Sequence, residues 1–273
     1  MNGGGRPRWV GDAVTIAGIV ALFALLYLLP ADTSLSQVRQ AGILRLCVPT
    51  LYPPLVTGKV DAPGFDIEFA QAVAGRLEVR LVINTNPAMG RDFNPHNWNV
   101  TRAQCQMLAG GVIVSDLTRS FLDTTPPHLE TGWAIVAKKI PEKLEGIRVG
   151  FYSGLVGLDR IALSRFLQTQ KARVEIVANA EALAEGLRSG RIDAGVSEAL
   201  MARQVAGMID AQAAWLPQSL GRYPVAFGLW KGDLTLKRSL IDIIDELDRE
   251  GFPNELAWKY RIAPIAMTIG GVS

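Results

Sequence analysis

Residues that bind metals or act as strong nucleophiles are scarce in this chain, which contains two cysteines, Cys47 and Cys105, and two histidines, His96 and His128. A structural zinc site uses about four Cys or His ligands, and a catalytic zinc site uses about three. The histidines stand in distant segments of the sequence. We therefore predict no metal site and no other cofactor, and two cysteines are too few for a disulfide-dense small domain.

The charge balance argues against a second class of function. The chain has 28 Lys and Arg against 26 Asp and Glu, a formal net charge of +2, with no Lys/Arg stripe. Nucleic-acid binding depends on a basic patch, so no nucleic-acid partner is predicted. Apolar residues make up 49% and charged residues 20% of the chain, as in ordinary globular proteins. Its 273 residues allow one large domain or two lobes.

The N-terminus carries an apolar run, residues 13–29, preceded by Arg6 and Arg8. Basic residues ahead of such a run mark the cytoplasmic side, so the rest of the chain is expected outside the cytoplasm. The run fits the lower limit of a spanning helix, about 17 residues, and slightly exceeds the about 7–15 residues of a signal peptide. An uncleaved anchor is favoured over a cleaved signal, because residues 29–31 make a poor cleavage site. Residues 1–34 are accordingly assigned to a signal anchor or signal peptide with its linker.

Strands and helices alternate through the remainder of the chain. An apolar strand at 43–48 precedes a helix for which Asp66 is the predicted N-cap, and a second alternation starts at 146–152. This order predicts parallel sheets with helices on both faces, and its repetition indicates two α/β lobes. Residues 84–100 contain five Asn, two Pro and a Gly without apolar periodicity, which predicts a long irregular loop.

Seven motifs follow one another along the chain: LRLCVPTLYPPL at 44–55, GFDIEFA at 64–70, GIRVGFYSGLVG at 146–157, EAL at 181–183, LRSGRIDAGV at 187–196, AFGLWKGD at 226–233 and GFPNELAWKY at 251–260. In this order they resemble family 3 extracellular solute-binding proteins, the polar amino-acid receptors of ABC transporters. The likeness extends over about residues 35–262.

The resemblance implies an α/β fold of two lobes, the type II periplasmic-binding-protein fold. Two parallel or mixed sheets are joined by a two-strand hinge, and the ligand closes between the lobes. The implied boundaries are 35–138 and 224–262 for lobe one and 139–223 for lobe two, with 263–273 as a short tail.

The resemblance also implies the main contacts of an amino-acid ligand. Tyr52 falls at the position of the stacking aromatic, Arg119 near the arginine that binds the α-carboxylate, and Glu198 at the aspartate that binds the α-ammonium. A bidentate guanidinium matches a planar carboxylate, and a buried ammonium needs a charged partner. The plainer interpretations are a loop aromatic over the core for Tyr52, a solvated surface arginine for Arg119 and a helix N-terminal carboxylate for Glu198.

The remaining implied site residues are less directly matched to the family pattern. An alignment without a gap puts Thr118 at the carboxylate-binding position. The family has a threonine in the preceding strand where this chain has Ile113, so Ser115 is the nearest hydroxyl. Ser153 and Gly154 supply hydroxyl and backbone groups from lobe two. His128 replaces a family aromatic and is expected to be an ordinary surface or hinge histidine.

The two cysteines leave a disulfide open. Cysteines in an oxidising compartment usually pair, but pairing needs Cα atoms within about 7 Å, and the family alignment staggers Cys47 and Cys105 by several residues. A similar pair occurs in the binding-protein-like periplasmic partners of quinoprotein methanol dehydrogenases. That branch resembles this chain in both cysteines and in its altered pocket.

Three functions follow from these resemblances. The favoured one is a monomeric receptor, periplasmic and tethered to the inner membrane through residues 13–29, that passes a small polar solute to an ABC permease. The alternative is an accessory protein that docks a periplasmic quinoprotein dehydrogenase. The third is an enzyme similar to cyclohexadienyl dehydratases, with Glu198 as general acid. Because no base accompanies Glu198 in the sequence, we predict no catalytic residue and no enzymatic activity.

Overall fold

The computed structural model describes residues 15–21, 32–90, 94–152 and 158–262. The chain divides into two units, Met1–Thr33 and Ser34–Ser273. In the first unit residues 15–21 are helical, and the rest of the expected anchor at 13–29 lies outside the described residues. None of the helices within the described ranges is long and apolar enough to cross a membrane. The anchor therefore stays a prediction.

The second unit alternates strands and helices as the sequence indicates. Its strands are β1 Ile43–Val48, β2 Arg80–Thr85, β3 Met107–Ile113, β4 Leu122–Thr124, β5 Leu129–Ala137, β6 Arg148–Phe151, β7 Arg173–Ile176, β8 Ala194–Glu198, β9 Gln212–Trp215 and β10 Arg222–Trp230. Its helices are α1 Ser34–Ala41, α2 Phe65–Arg76, α3 Asp116–Phe121, α4 Arg160–Thr169, α5 Ala180–Ser189, α6 Ala199–Ile209, α7 Leu234–Arg249 and α8 Phe252–Lys259.

The strands are hydrogen-bonded in the order β2-β1-β3-β10-β5-β8-β6-β7, with β4 beside β10 and β9 beside β5. Pairs β1–β2, β1–β3, β6–β7 and β6–β8 are parallel, whereas β5 and β10 run antiparallel to their neighbours. Strand β5 changes partner along its length. Residues 129–132 pair with β10, and residues 133–137 pair with β8 or β9.

This change of partner divides the mixed sheet into two halves. We call the part with β1–β4, β10, α1–α3, α7 and α8 lobe one, and the part with β6–β9 and α4–α6 lobe two. The expected two-lobed α/β fold with mixed sheets is thus confirmed at this level. The residue boundaries of the lobes stay predictions, because the strand pairing alone does not test them.

Helix α2 begins two residues earlier than the sequence predicts, so the assignment of Asp66 as its N-cap is wrong. The N-cap is Gly64, at φ 122°, and it makes no side-chain capping bond. A Cβ there would stand 2.2 Å from the Leu55 carbonyl oxygen, so the close approach of these segments requires glycine. Asp66 lies in the first turn of the helix, and its carboxylate accepts the backbone N–H of Gly110 in β3 instead of capping the helix.

The Asn-rich segment 84–100 is less irregular than its composition predicts. It contains two 3₁₀ turns, Pro87–Gly90 and Pro95–Trp98, while residues 91–93 lie outside the described part. The Asn86 side-chain amide donates to the Trp98 carbonyl at 2.8 Å and so ties the segment together. Asparagine side chains readily bond to nearby backbone in this way, which explains order without an apolar repeat.

A disulfide joins Cys47 and Cys105, with their Cα atoms 5.6 Å apart. The sequence left pairing open because the two residues are staggered in the family alignment. The stagger is overcome because residue 106 lies beside β1: Gln106 N donates to the Arg45 carbonyl at 2.9 Å. A small second core surrounds the disulfide and includes the buried side chains of Met89, Trp98, Val100, Leu108, Val112 and Leu122.

Candidate functional site

Glu198 ends strand β8 and caps helix α6. Its carboxylate accepts the backbone N–H of Leu200 at 3.0 Å and of Met201 at 3.1 Å. These are two of the N–H groups that have no partner within a helix, so the capping contacts stabilise the start of α6. The residue is 1% exposed. Glu198 is therefore a carboxylate at a helix N-terminus, as its plainer interpretation states.

The same carboxylate also contacts side chains outside lobe two. Its Oε1 accepts the hydroxyl of Thr131, and its Oε2 accepts the hydroxyl of Tyr52 at 3.2 Å. Thr131 lies on β5, and Tyr52 lies in the loop after β1 of lobe one. With the two backbone donors, each carboxylate oxygen has two hydrogen-bond partners. Tyr52 and Glu198, expected at the site from different lobes, are in direct contact.

Burial sets the protonation behaviour of this contact. Removal from water raises the pKa of Glu198, while the bonds from Thr131, the two backbone N–H groups and Tyr52 act in the opposite direction. Burial, reinforced by the charge of Glu198, raises the pKa of Tyr52 well above its ordinary value. Tyr52 therefore stays protonated and donates its hydroxyl hydrogen to the carboxylate.

The Tyr52 side chain is buried. Its backbone forms a bridge with Val56, where Tyr52 N donates to the Val56 carbonyl at 2.8 Å. On the other side the ring packs against Gly111, where a Cβ would come within 2.8 Å of the ring and where φ is +89°. Gly111 is therefore required both by its backbone conformation and by the ring.

A second buried carboxylate, Asp66, lies in lobe one. Its Oδ2 accepts the backbone N–H of Gly110 at 2.7 Å and of Gly111 at 3.3 Å, and its Oδ1 is 3.1 Å from His128 Nε2. The His128 side chain is 2% exposed, and its ring stacks on Phe65 with centroids 5.8 Å apart. The surface alternative for His128 is wrong, because Asp66 and the aromatic core enclose it, and the hinge alternative stays a prediction.

The three candidates for binding the ligand carboxylate, Ser115, Thr118 and Arg119, differ in burial and in contacts. Ser115 caps the helix, its Oγ accepting Thr118 N at 3.2 Å, and the Thr118 hydroxyl lies 3.2 Å from the same oxygen. Thr118 is buried, whereas Arg119 is exposed. Within the described part of the chain, the Arg119 side chain makes no hydrogen bond or ion pair.

The structure thus brings together Tyr52 and Glu198 but not Arg119. Ser153 and Gly154 lie outside the described residues. Sequence reasoning missed Thr131, for which no motif gives a signal, and it misjudged Asp66, whose partners are strand glycines about 44 residues away. Among the described residues, no group of three or more His, Cys, Asp or Glu is placed to hold a metal ion.

Comparison with known proteins supports the resemblance found in the motifs. No protein-family model matches the chain. The L-cystine-binding protein TcyJ of Escherichia coli strain K12 is 24% identical over 241 residues, covering 83% of this chain and 85% of TcyJ.

Solved structures share the fold over most of the chain. An ancestral cationic amino acid solute-binding protein, AncCDT-1, superposes with a TM-score of 0.68 at 20% identity, covering 83% of this chain and 99% of that one. The P235GK mutant of ArgBP from T. maritima gives a TM-score of 0.59 at 20% identity, covering 84% and 99%.

These comparisons leave the likeness to the partners of quinoprotein dehydrogenases unsupported. They agree with the order of the seven motifs and with the two-lobed sheet. The resemblance of this chain to family 3 amino-acid solute-binding proteins is therefore confirmed.

Proposed function

We propose that the chain is a periplasmic receptor that closes on a small, amino-acid-like solute and presents it to an ABC permease. The observation that carries the proposal is the contact between Tyr52 of lobe one and Glu198 of lobe two, at 3.2 Å, in a fold shared with amino-acid-binding proteins. Relatives described as binding L-cystine or L-arginine agree with a solute of this class.

In this proposal the ligand ammonium replaces the hydroxyls of Tyr52 and Thr131 on Glu198. An ammonium carries three donors and a positive charge, so it suits a buried carboxylate better than two neutral hydroxyls do. The capping bonds from Leu200 and Met201 can remain, because they reach the carboxylate along α6. The displaced Tyr52 ring then covers the apolar part of the solute.

The opposite end of the ligand requires a change at α3. The proposal gives the ligand carboxylate to Arg119, with the hydroxyls of Ser115 and Thr118 beside it. Arg119 is exposed and without an ion-pair partner among the described residues, so no existing salt bridge opposes its turning inward. Ser153 and Gly154 are proposed as the contribution of lobe two.

The proposed location follows from the N-terminal sequence. We assign the chain to the periplasm as a monomer, held at the inner membrane by residues 13–29. Membrane retention after a carbonate wash is the expected result. Recovery of a soluble product beginning near residue 32 would show a cleaved signal instead.

An enzymatic role is the competing proposal, because one structural neighbour is described as a precursor of cyclohexadienyl dehydratase. Glu198 has the raised pKa of many general acids, but its oxygens accept four hydrogen bonds, and none of these donors among the described residues is a basic side chain. We expect no turnover of cyclohexadienyl dehydratase substrates. Turnover that Glu198→Gln abolishes would overturn the binding role.

A two-step experiment tests the receptor proposal. A thermal-shift screen against amino acids and small organic acids identifies a ligand, and calorimetric titration measures its affinity. We expect Glu198→Ala and Arg119→Ala each to lower affinity at least about tenfold, equivalent to about 1.4 kcal/mol. The exposed Glu142→Ala and Arg238→Ala serve as matched controls with unchanged affinity. Near-native affinity in both site variants would contradict the proposed site.

A further inference from the structure

A cavity of about 240 Å³ lies beside the proposed solute site, between α6 of lobe two and the end of α8 in lobe one. From α6 it is lined by Leu200, Arg203, Gln204 and Met208, and from lobe one by Tyr260 and Arg261. Arg203 stands five residues after the cap residue Glu198, so the cavity faces a later part of the helix. None of these six residues belongs to the site predicted from the sequence.

Two guanidinium groups give the cavity a positive charge. Among the described residues, its lining includes Arg203 and Arg261 but no Asp or Glu. Neither arginine makes an ion pair with any residue that the structure describes. Arg203 is partly buried, and this burial lowers its pKa, with no carboxylate of the described residues acting in the opposite direction. A partly buried arginine without a counter-ion is stabilised by an anion, preferably a planar carboxylate that accepts two N–H bonds.

One lining group needs a hydrogen-bond donor. Gln204 Oε1 is buried and has no partner within the described residues. The neighbouring Tyr260 hydroxyl is not available, because it accepts Gly64 N at 3.0 Å and donates to Glu68 at 2.5 Å. A buried acceptor without a donor lowers stability, so a ligand hydroxyl at this place would be favourable.

We propose that this cavity binds a small hydroxy-carboxylate anion. The carboxylate pairs with Arg203 and Arg261, the hydroxyl donates to Gln204 Oε1, and the carbon atoms pack on Leu200 and Met208. A zwitterionic amino acid fits poorly, because its ammonium would stand beside two guanidinium groups. The site therefore takes a different chemical class from the solute proposed for the contact of Tyr52 and Glu198, and it does not depend on that proposal.

The cavity lies between the two lobes, so a ligand bound in it can hold them together. A Cβ at Gly207 of α6 would stand 3.9 Å from Arg261 Nη1, so the arginine of lobe one already lies along the helix of lobe two. An anion held by both arginines bridges the two lobes. Because it contacts both lobes only when they are together, it stabilises the closed arrangement.

Calorimetric titration of the full-length chain with L-malate and with succinate tests the proposal. The two probes differ by one hydroxyl, so malate is expected to bind more tightly. Arg203→Met and Arg261→Met should each lower malate affinity at least about tenfold, and Gln204→Leu should abolish the preference for malate. Arg238→Met, on the exposed face of α7, is the matched control and should bind malate like the wild type. Circular dichroism verifies that each variant is folded.

Three results would overturn the proposal. The first is no heat of binding for either probe, and the second is unchanged malate affinity in both arginine variants. The third is loss of malate binding in Glu198→Gln with retention in Arg203→Met, which would move the anion to the solute site. Amino-acid binding that survives in Arg203→Met keeps the receptor proposal separate from this one.

Discussion

Two buried carboxylates, Asp66 and Glu198, lie in regions that use them differently. The partners of Asp66 among the described residues all lie in lobe one: two strand N–H groups and His128. Glu198 accepts from its own helix in lobe two, from Thr131 on β5 and from Tyr52 in lobe one. The difference separates a carboxylate that holds one lobe together from one whose partners change if the lobes move apart. Burial alone does not distinguish the two carboxylates, and the proposed role of Glu198 rests on the origin of its partners.

The largest expected effect comes from removing the carboxylate that serves one lobe. Asp66→Ala should lower the free energy of unfolding by about 3–5 kcal/mol, because Gly110 N, Gly111 N and His128 lose a buried acceptor. Asp66→Asn, which keeps one side-chain oxygen, should lose less. Urea unfolding measures both values. If Asp66→Ala instead kept wild-type stability and lost solute affinity, the two carboxylates would have exchanged roles.

The disulfide gives the second largest effect and also acts on lobe one. A cross-link over 58 residues stabilises by about 4 kcal/mol in the chain-entropy model. Replacing Cys47 and Cys105 by Ala should therefore lower stability by about 2–4 kcal/mol and increase amide exchange at Trp98, with solute affinity unchanged. Loss of affinity in this variant would show that the second core supports the cleft as well.

A smaller effect is expected where the two lobes meet. Tyr52→Phe removes one hydrogen bond to Glu198 and should lower the free energy of unfolding by about 1 kcal/mol. Tyr223→Phe, in β10, makes a matched control. Because the ring proposed to cover the solute is retained, and the ligand ammonium is proposed to displace the hydroxyl, affinity should not fall as it does in Glu198→Ala. An equal loss in both would mean that the hydroxyl itself binds the solute.

The pH dependence of stability provides the finest distinction. The pKa of Glu198 is raised in the folded chain, so the folded state binds its proton more tightly than the unfolded state does. The associated stability is fully present below about pH 4.3, the ordinary glutamate value, and is lost as pH rises through the folded pKa. Glu198→Gln should remove this component from urea unfolding measured across pH. An unchanged pH profile would mean that Glu198 does not contribute it.

Much of the fold could be predicted because the relevant signals are local. The alternation of strands and helices and the order of the seven motifs indicate two α/β lobes without knowledge of any long-range contact. The segment 84–100 shows the limit of this approach. Its composition predicts irregular backbone. The burial of Met89, Trp98 and Val100, however, depends on the small core around the disulfide, which forms only in the folded chain.

The candidate site was predictable only in part for the same reason. Tyr52 and Glu198 could be placed by their motifs, and the structure brings them together. Asp66 satisfies the local rule for an N-cap, yet its carboxylate finds strand glycines that come much later in the chain. Arg203 and Gln204 lie within α6 in no recognisable motif, and only the packing of α8 beside them creates a cavity.

The central claim is that a ligand ammonium replaces the hydroxyl donors on Glu198, and proton release on binding tests it most directly. An ammonium lowers the raised pKa of Glu198, so binding at a pH above the ordinary glutamate pKa of about 4.3 should release protons. Calorimetry of one amino-acid ligand in buffers of different ionisation enthalpy measures this release. Proton release is expected in the wild-type chain and is expected to be absent in Glu198→Gln. Tight binding with the same proton release in both chains would contradict it.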